Sequence, residues 1–273
     1  MTALIQALLV ALPPAYLVLA ILYGMAFAGP AQPRFASARR PLLWLTLLAH
    51  AGVFVLNANA TGAAVVSGAR ILSAVALTVG LLFCLVTFRS PQPTVAAILL
   101  AVVFLLQLGA SAFGPMGAET SVQAGNAVQT AHAITMLLAT AALVLSGIYG
   151  LLHLVLYRQL KAQRFGPLVQ RLPNLEQLAR TTRLTALAGF VFLTLGVNVG
   201  IGLAHARNVE HFSYTDPTVL LYLGLWIHFG IIAFSRRIVG LTARRASFAA
   251  VGGLITLLIA TAILTVPGAS FHA

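Results

Sequence analysis

A basic stretch, Arg158 to Arg183, breaks the chain between two apolar runs that are each long enough to cross a bilayer. It reads RQLKAQRFGPLVQRLPNLEQLARTTR and carries five Arg and one Lys against a single acid, Glu176. A crossing helix needs about 20 apolar residues to match about 30 Å of hydrocarbon. A basic loop between two such helices belongs on the cytoplasmic side. With that loop inside, the side of every other loop follows by alternation.

Eight spans are expected, giving an all-α, polytopic membrane helix bundle that forms a single integral membrane domain over residues 1–273. They run Leu4–Ala28, Pro41–Ala60, Ala69–Phe88, Thr94–Phe113, Asn126–Tyr157, Leu184–Ala206, Pro217–Ser235 and Ala246–Val266. Pro13 and Pro14 predict a kink in the first, tolerated where a neighbouring helix covers the freed carbonyls. Only 7% of the residues are charged, against about 25% in a soluble domain, which excludes the soluble class. Met1 to Met25 has no basic leading segment and runs straight into a full span, so no cleavable signal peptide is expected.

The basic residues test this division. Fourteen of the 16 fall on the side of the organising loop, among them Arg34, Arg39, Arg40, Arg89 and the four arginines from Arg236 to Arg245. Arg70 and Arg207 fall on the other side, with Glu119, Glu210 and Asp216. An even span count then puts both termini outside, in the periplasm. The formal charge of +12 does not indicate nucleic acid, because the arginines sit in short loops and form no continuous groove. The partner surface expected from them is lipid. The lone cysteine, Cys84, lies in an apolar run. It excludes an intrachain disulfide and a cysteine-based zinc or iron–sulfur site.

Inside the organising loop, leucines recur at rough helical spacing. Asn174 is placed to cap a helix, with Glu176 and Gln177 in its first turn. The segment reads as an interfacial helix on anionic lipid or as a plain lid over the inner helix ends, the latter preferred.

Polar side chains within spans face the bundle interior or a cavity. His50 lies halfway along the second span, with Asn57 on the same face. Asn126, Gln129 and His132 form a stripe at the outer end of the fifth. Asn198 and His205 are seven apart in the sixth, and His228 is halfway along the seventh. His153 lies near the inner end of the fifth span, His211 in an outer loop and His272 in the tail. His132 and His205 thus share an outer layer, and His50 and His228 a middle one. Two histidines from different helices can take the two axial positions of a haem iron. Arg207, beside His205, is placed to meet a propionate. The expected site is therefore His132 and His205 with Arg207, and His50 with His228 form a rival or second pair. The plain alternative for each histidine is a helix–helix hydrogen bond. A zinc site lacks completing ligands. The Gly196–Gly200 step suits close helix crossing, or the approach of a flat ligand.

Three stretches resemble the cytochrome c assembly protein family, which includes the system II haem-handling subunit. The first is His132, Tyr149, Leu156-Tyr157 and Leu160-Lys161. The second is Leu172-Pro173-Asn174-Leu175-Glu176, leading to Gly189-Phe190 and Leu193-Thr194-Leu195-Gly196. The third is Asp216-Pro217, Trp226, Gly240 and Arg244-Arg245-Ala246. The likeness is strongest to a small eight-span branch without the tryptophan-rich segment. In this family a tryptophan-rich outer segment cradles haem, and His132 matches the histidine that precedes it. Asp216-Pro217 match the pair that closes it. Arg207 to Asp216 contains no tryptophan, and Thr218-Val219 stand where a basic and an acidic residue are expected.

The resemblance implies haem b binding, or haem transport toward the outer face of a bacterial inner membrane for attachment to apocytochrome c. It implies assembly or other membrane-protein partners and no enzyme activity. Two other readings compete: a non-haem structural or regulatory partner of another membrane complex, and a small-solute transporter. The second should show an internal repeat, and none is visible between the halves.

Overall fold

The computed structural model describes residues 2–28, 33–61, 68–88, 92–113, 127–206, 214–215, 217–238 and 240–265. Arg89, Glu119, Asn126, Arg207, Glu210, His211, Asp216 and His272 lie outside them. The described residues form helices α1 (Thr2–Ala28), α2 (Pro33–Thr61), α3 (Gly68–Val86), α4 (Pro93–Phe113), α5 (Ala127–Lys161), α6 (Pro167–Arg171), α7 (Leu175–Ala206), α8 (Pro217–Ala233) and α9 (Ala243–Thr265). They divide into two compact units. One takes Met1–Ala124 with Gln159–Pro173, the other Gly125–Arg158 with Asn174–Ala273.

Seven of these helices are long and apolar enough to cross a membrane: α1 to α5, α7 and α9. The chain is thus an all-α multi-pass membrane protein, but the expected count of eight spans is corrected to seven among the described residues. The span expected over Pro217–Ser235 is α8, which has 17 residues. At about 1.5 Å per residue it reaches about 25 Å, short of the hydrocarbon thickness. It stops because the backbone tightens where the apolar run meets Arg236 and Arg237. Ser235 N–H donates to Ile232 O at 3.2 Å, and Arg237 N–H to Phe234 O at 2.9 Å. Both bonds reach back three residues, the tight pattern of a helix end. The placement of both termini outside rested on an even count and no longer follows.

In the first unit, α1 packs on α2 and α4, and α3 on α2 and α4. Tyr16, Leu47, Leu99 and Leu100 are fully buried. Leu48 is 66% exposed and Leu85 72%, which is tolerable where the solvent is lipid. Helix α1 runs on through Pro13 and Pro14. Pro13 has no N–H to offer the carbonyl four residues back, that of Leu9. The Ser111 hydroxyl of α4 donates to that carbonyl instead, at 3.0 Å.

In the second unit α8 packs on both α7 and α9, and α7 also meets α9. Glycines bring α5 close to two neighbours. A Cβ on Gly147 or Gly150 would meet Leu254 or the Ser247–Ala250 turn of α9, and one on Gly189 would meet Leu143 across the α5–α7 seam. Much of the organising loop is helical. Helix α5 continues to Lys161, and Asn174 Oδ1 accepts the Gln177 N–H at 2.8 Å to cap α7. That local cap is the one its sequence foretold.

Candidate functional site

Gly196 and Gly200 face α5 one turn apart on α7. A Cβ added at Gly196 would lie 2.6 Å from Met136 Sδ, and one at Gly200 2.7 Å from His132 Cε1. The missing side chains therefore leave a notch, and the half-buried His132 ring lies in it. His132 Nδ1–H donates to the Gly196 carbonyl at 2.8 Å. A carbonyl can only accept, so Nδ1 carries a proton, and in the neutral ring Nε2 keeps the lone pair. Histidines that ligate metals are oriented in this way. Porphyrin supplies four nitrogens to its iron, so the protein need add only one or two. Among the described residues no group of three His, Cys, Asp or Glu could hold a bare metal ion. An imidazole nitrogen is a donor type that a haem iron takes.

His205 does not join His132. It is nine residues beyond Gly196, about two and a half helical turns, and so stands on the opposite side of α7. Its Nδ1–H donates to Ile201 O on its own helix at 2.9 Å, which holds the ring along that side. Its neighbour there is Tyr214, with ring centroids 6.3 Å apart. The same side carries Thr194, whose hydroxyl accepts the Trp226 Nε1–H of α8 at 2.7 Å, and Phe190, stacked on Trp226 at 5.0 Å. The shared depth expected of His132 and His205 is therefore not a shared cavity. Arg207 lies outside the described residues.

The middle-layer histidines are both built into hydrogen bonds. His228 Nε2–H donates to Ala249 O of α9 at 2.8 Å. His50 belongs to a buried chain with one member from each of four helices. The Tyr16 hydroxyl donates to His50 Nδ1 at 2.8 Å, His50 Nε2–H to Ser73 Oγ at 2.9 Å, and the Ser73 hydroxyl to Gln107 Oε1 at 3.0 Å. The last link sets the directions of the others. With Ser73 donating to an amide oxygen, its own oxygen receives the His50 proton. Both His50 nitrogens are then engaged. His153 is likewise buried and hydrogen-bonded to Ser247 of α9 at 3.0 Å.

Reasoning from sequence singled out His50 but missed its companions, Tyr16, Ser73 and Gln107. Ser73 and Gln107, polar residues in apolar runs, were the available signal. Arg244, expected mainly to contact headgroups, lies 5.1 Å from the Tyr157 ring and 5.6 Å from that of Phe248. Arg245 Nη1 donates to Gly240 O at 2.9 Å. Arg244 therefore bridges the end of α5 and the start of α9, and Arg245 ties the start of α9 to the turn before it.

No curated protein and no solved structure matches the chain. The family of cytochrome c assembly proteins matches it over residues 39–272, which takes in all five candidate histidine and arginine positions. With its multi-pass helices, this chain belongs to the cytochrome c assembly protein family and is a haem-handling membrane protein.

Proposed function

We propose that this chain handles b-type haem non-covalently at the α5–α7 seam, where His132 would hold the haem iron through Nε2. The observation that carries this reading is the bond from His132 Nδ1–H to Gly196 O. It turns the ring so that its other nitrogen keeps the lone pair, and the Gly196–Gly200 notch gives the ring its seat. Haem supplies the iron and its redox chemistry. The chain's residues bind and orient it and exclude water. His205 marks a second surface on the far side of α7, beside Tyr214, and is not the opposing ligand.

The setting we infer is a bacterial inner membrane, with the turn near Gln163 in the cytoplasm and His132 toward the outer face. Helix α5 has 35 residues, about 52 Å at about 1.5 Å each, enough to connect the two faces. We read residues 1–273 as one integral membrane domain, and the family match over residues 39–272, which enters both units, supports that reading. Cargo passes to assembly partners and apocytochrome c. Cys84 is buried and single, so the thiols of a thioether bond come from the apocytochrome.

The test is absorption of the purified protein, oxidised and reduced, after expression with ample haem. His132→Ala should lose most of the haem signal at equal abundance, and His205→Ala should keep most of it. A colourless parent protein would remove the site and favour the non-haem partner role. Loss in His205→Ala with His132→Ala unaffected would move the haem across α7. A cytoplasmic reporter that stays inactive when inserted near Gln163 would overturn the orientation.

A further inference from the structure

The first unit contains a cavity of about 340 Å³ at the end where α1 finishes, α2 begins, α3 finishes and α4 begins. No histidine lines it. Its walls are mostly apolar, with Leu43, Trp44 and Phe83 among them, and Arg39 and Arg40 are the only charged groups that line it among the described residues. Arg39 is 7% exposed, and neither its Nε nor its Nη2 has a hydrogen-bond partner among the described residues. Its guanidinium lies 5.9 Å from the centroid of the Tyr23 ring, while the exposed Arg40 lies 5.1 Å from that of Phe88.

A guanidinium cannot shed its charge by losing a proton. Burying it without a counter-charge is strongly unfavourable. An aromatic face attracts the cation, but it offers no lone pairs for two N–H groups. Glu176, the one acid among the described residues, is not among the residues that line the cavity. What the guanidinium fork lacks among the described residues is an anion. Two N–H groups on one planar fork match two oxygens of a phosphate. A free phosphate would leave the apolar walls unfilled, whereas an amphiphile fills both parts.

We propose that this cavity binds the phosphate of an anionic membrane lipid, with Arg39 gripping the phosphate oxygens and Arg40 holding the mouth. The lipid's upper chain lies against Leu43, Trp44 and Phe83. This is a lipid site in the first unit, and it stands whether or not haem binds at His132.

The test uses the full chain, delipidated in neutral detergent, with phosphatidylglycerol, phosphatidylcholine or inorganic phosphate added back. Native mass spectrometry should show one phosphatidylglycerol retained per chain under conditions that strip phosphatidylcholine. Arg39→Gln should lower that retained fraction at least tenfold. Arg244→Gln, in the other unit, should leave it unchanged. Thermal melting guards against a variant that simply folds badly. Arg39→Leu should melt higher than the parent without lipid, because a buried lone charge is gone, and should gain nothing from phosphatidylglycerol. Equal retention of phosphatidylcholine would overturn the proposal, as would undiminished binding in Arg39→Gln. So would an unchanged lipid increment in Arg39→Leu. Protection by inorganic phosphate equal to that by phosphatidylglycerol would replace the lipid with a free anion. Loss of haem without loss of lipid in Arg39→Gln would make the cavity part of haem handling instead.

Discussion

His132 lies against Gly200 so closely that a methyl group at that glycine would come within 2.7 Å of the ring's Cε1. Gly200→Ala should therefore push the imidazole out of the notch and strain its bond to Gly196. Haem absorption at equal protein abundance should fall by a factor approaching that of His132→Ala. Gly202→Ala is the control on the same helix, since nothing lies within 4 Å of its added Cβ. It should leave the spectrum unchanged. If Gly200→Ala keeps a parental spectrum, His132 does not need this seat to bind haem.

Ser111 and Pro13 form a compensating pair. Ser111→Ala would leave the Leu9 carbonyl without a donor inside α1, where a lost bond to a buried group costs about 1–3 kcal/mol. Pro13→Ala restores the helical N–H that reaches Leu9. The double variant should then be markedly more stable than Ser111→Ala alone. Thermal melting in one detergent measures the cycle. Additive losses would mean that the hydroxyl does not stand in for the missing N–H.

The buried chain through His50 breaks most severely at its middle. Ser73→Ala strands both the His50 Nε2–H and Gln107 Oε1, and should cost about 2 kcal/mol or more. Tyr16→Phe strands only the acceptor Nδ1 and should cost about 1 kcal/mol. Neither should alter the haem spectrum, because this chain of residues holds four helices together. A spectrum that changes with Ser73→Ala would bring His50 back as a ligand.

Features that depend on neighbours in sequence were legible in it. Asn174 caps α7 as expected, because a cap needs only the next three residues. The carbonyl freed by Pro13 was also foreseeable, though not that Ser111, 102 residues away, would be its donor. Which helices carry His132 and His205 was legible in the sequence. Their facing was not. His205 is opposite Gly196 by simple helical counting, but only packing reveals that α5 lies on the Gly196 side. The span over Pro217–Ser235 was overcounted for a similar reason. Apolar composition continued past Ala233, while the backbone had already turned at Phe234 toward Arg236 and Arg237. Arg39 looked like an ordinary inside arginine, and only the closure of four helix ends shows that it is buried.

The connection from α8 to α9 depends on one backbone conformation. Gly240 has φ of +80°, where a side chain meets its own backbone at a cost of about 1–2 kcal/mol. Nothing lies within 4 Å of a Cβ added there, so the cost of Gly240→Ala would be conformational rather than a clash. The same residue accepts the Arg245 Nη1 bond through its carbonyl, so a shifted backbone would also loosen the start of α9. Gly166 provides the comparison, with equally open space and no positive φ. Gly240→Ala should lower the melting temperature clearly, while Gly166→Ala should leave it level or raise it slightly by restricting the unfolded chain. Equal melting temperatures for the two variants would show that the α8–α9 turn tolerates another conformation.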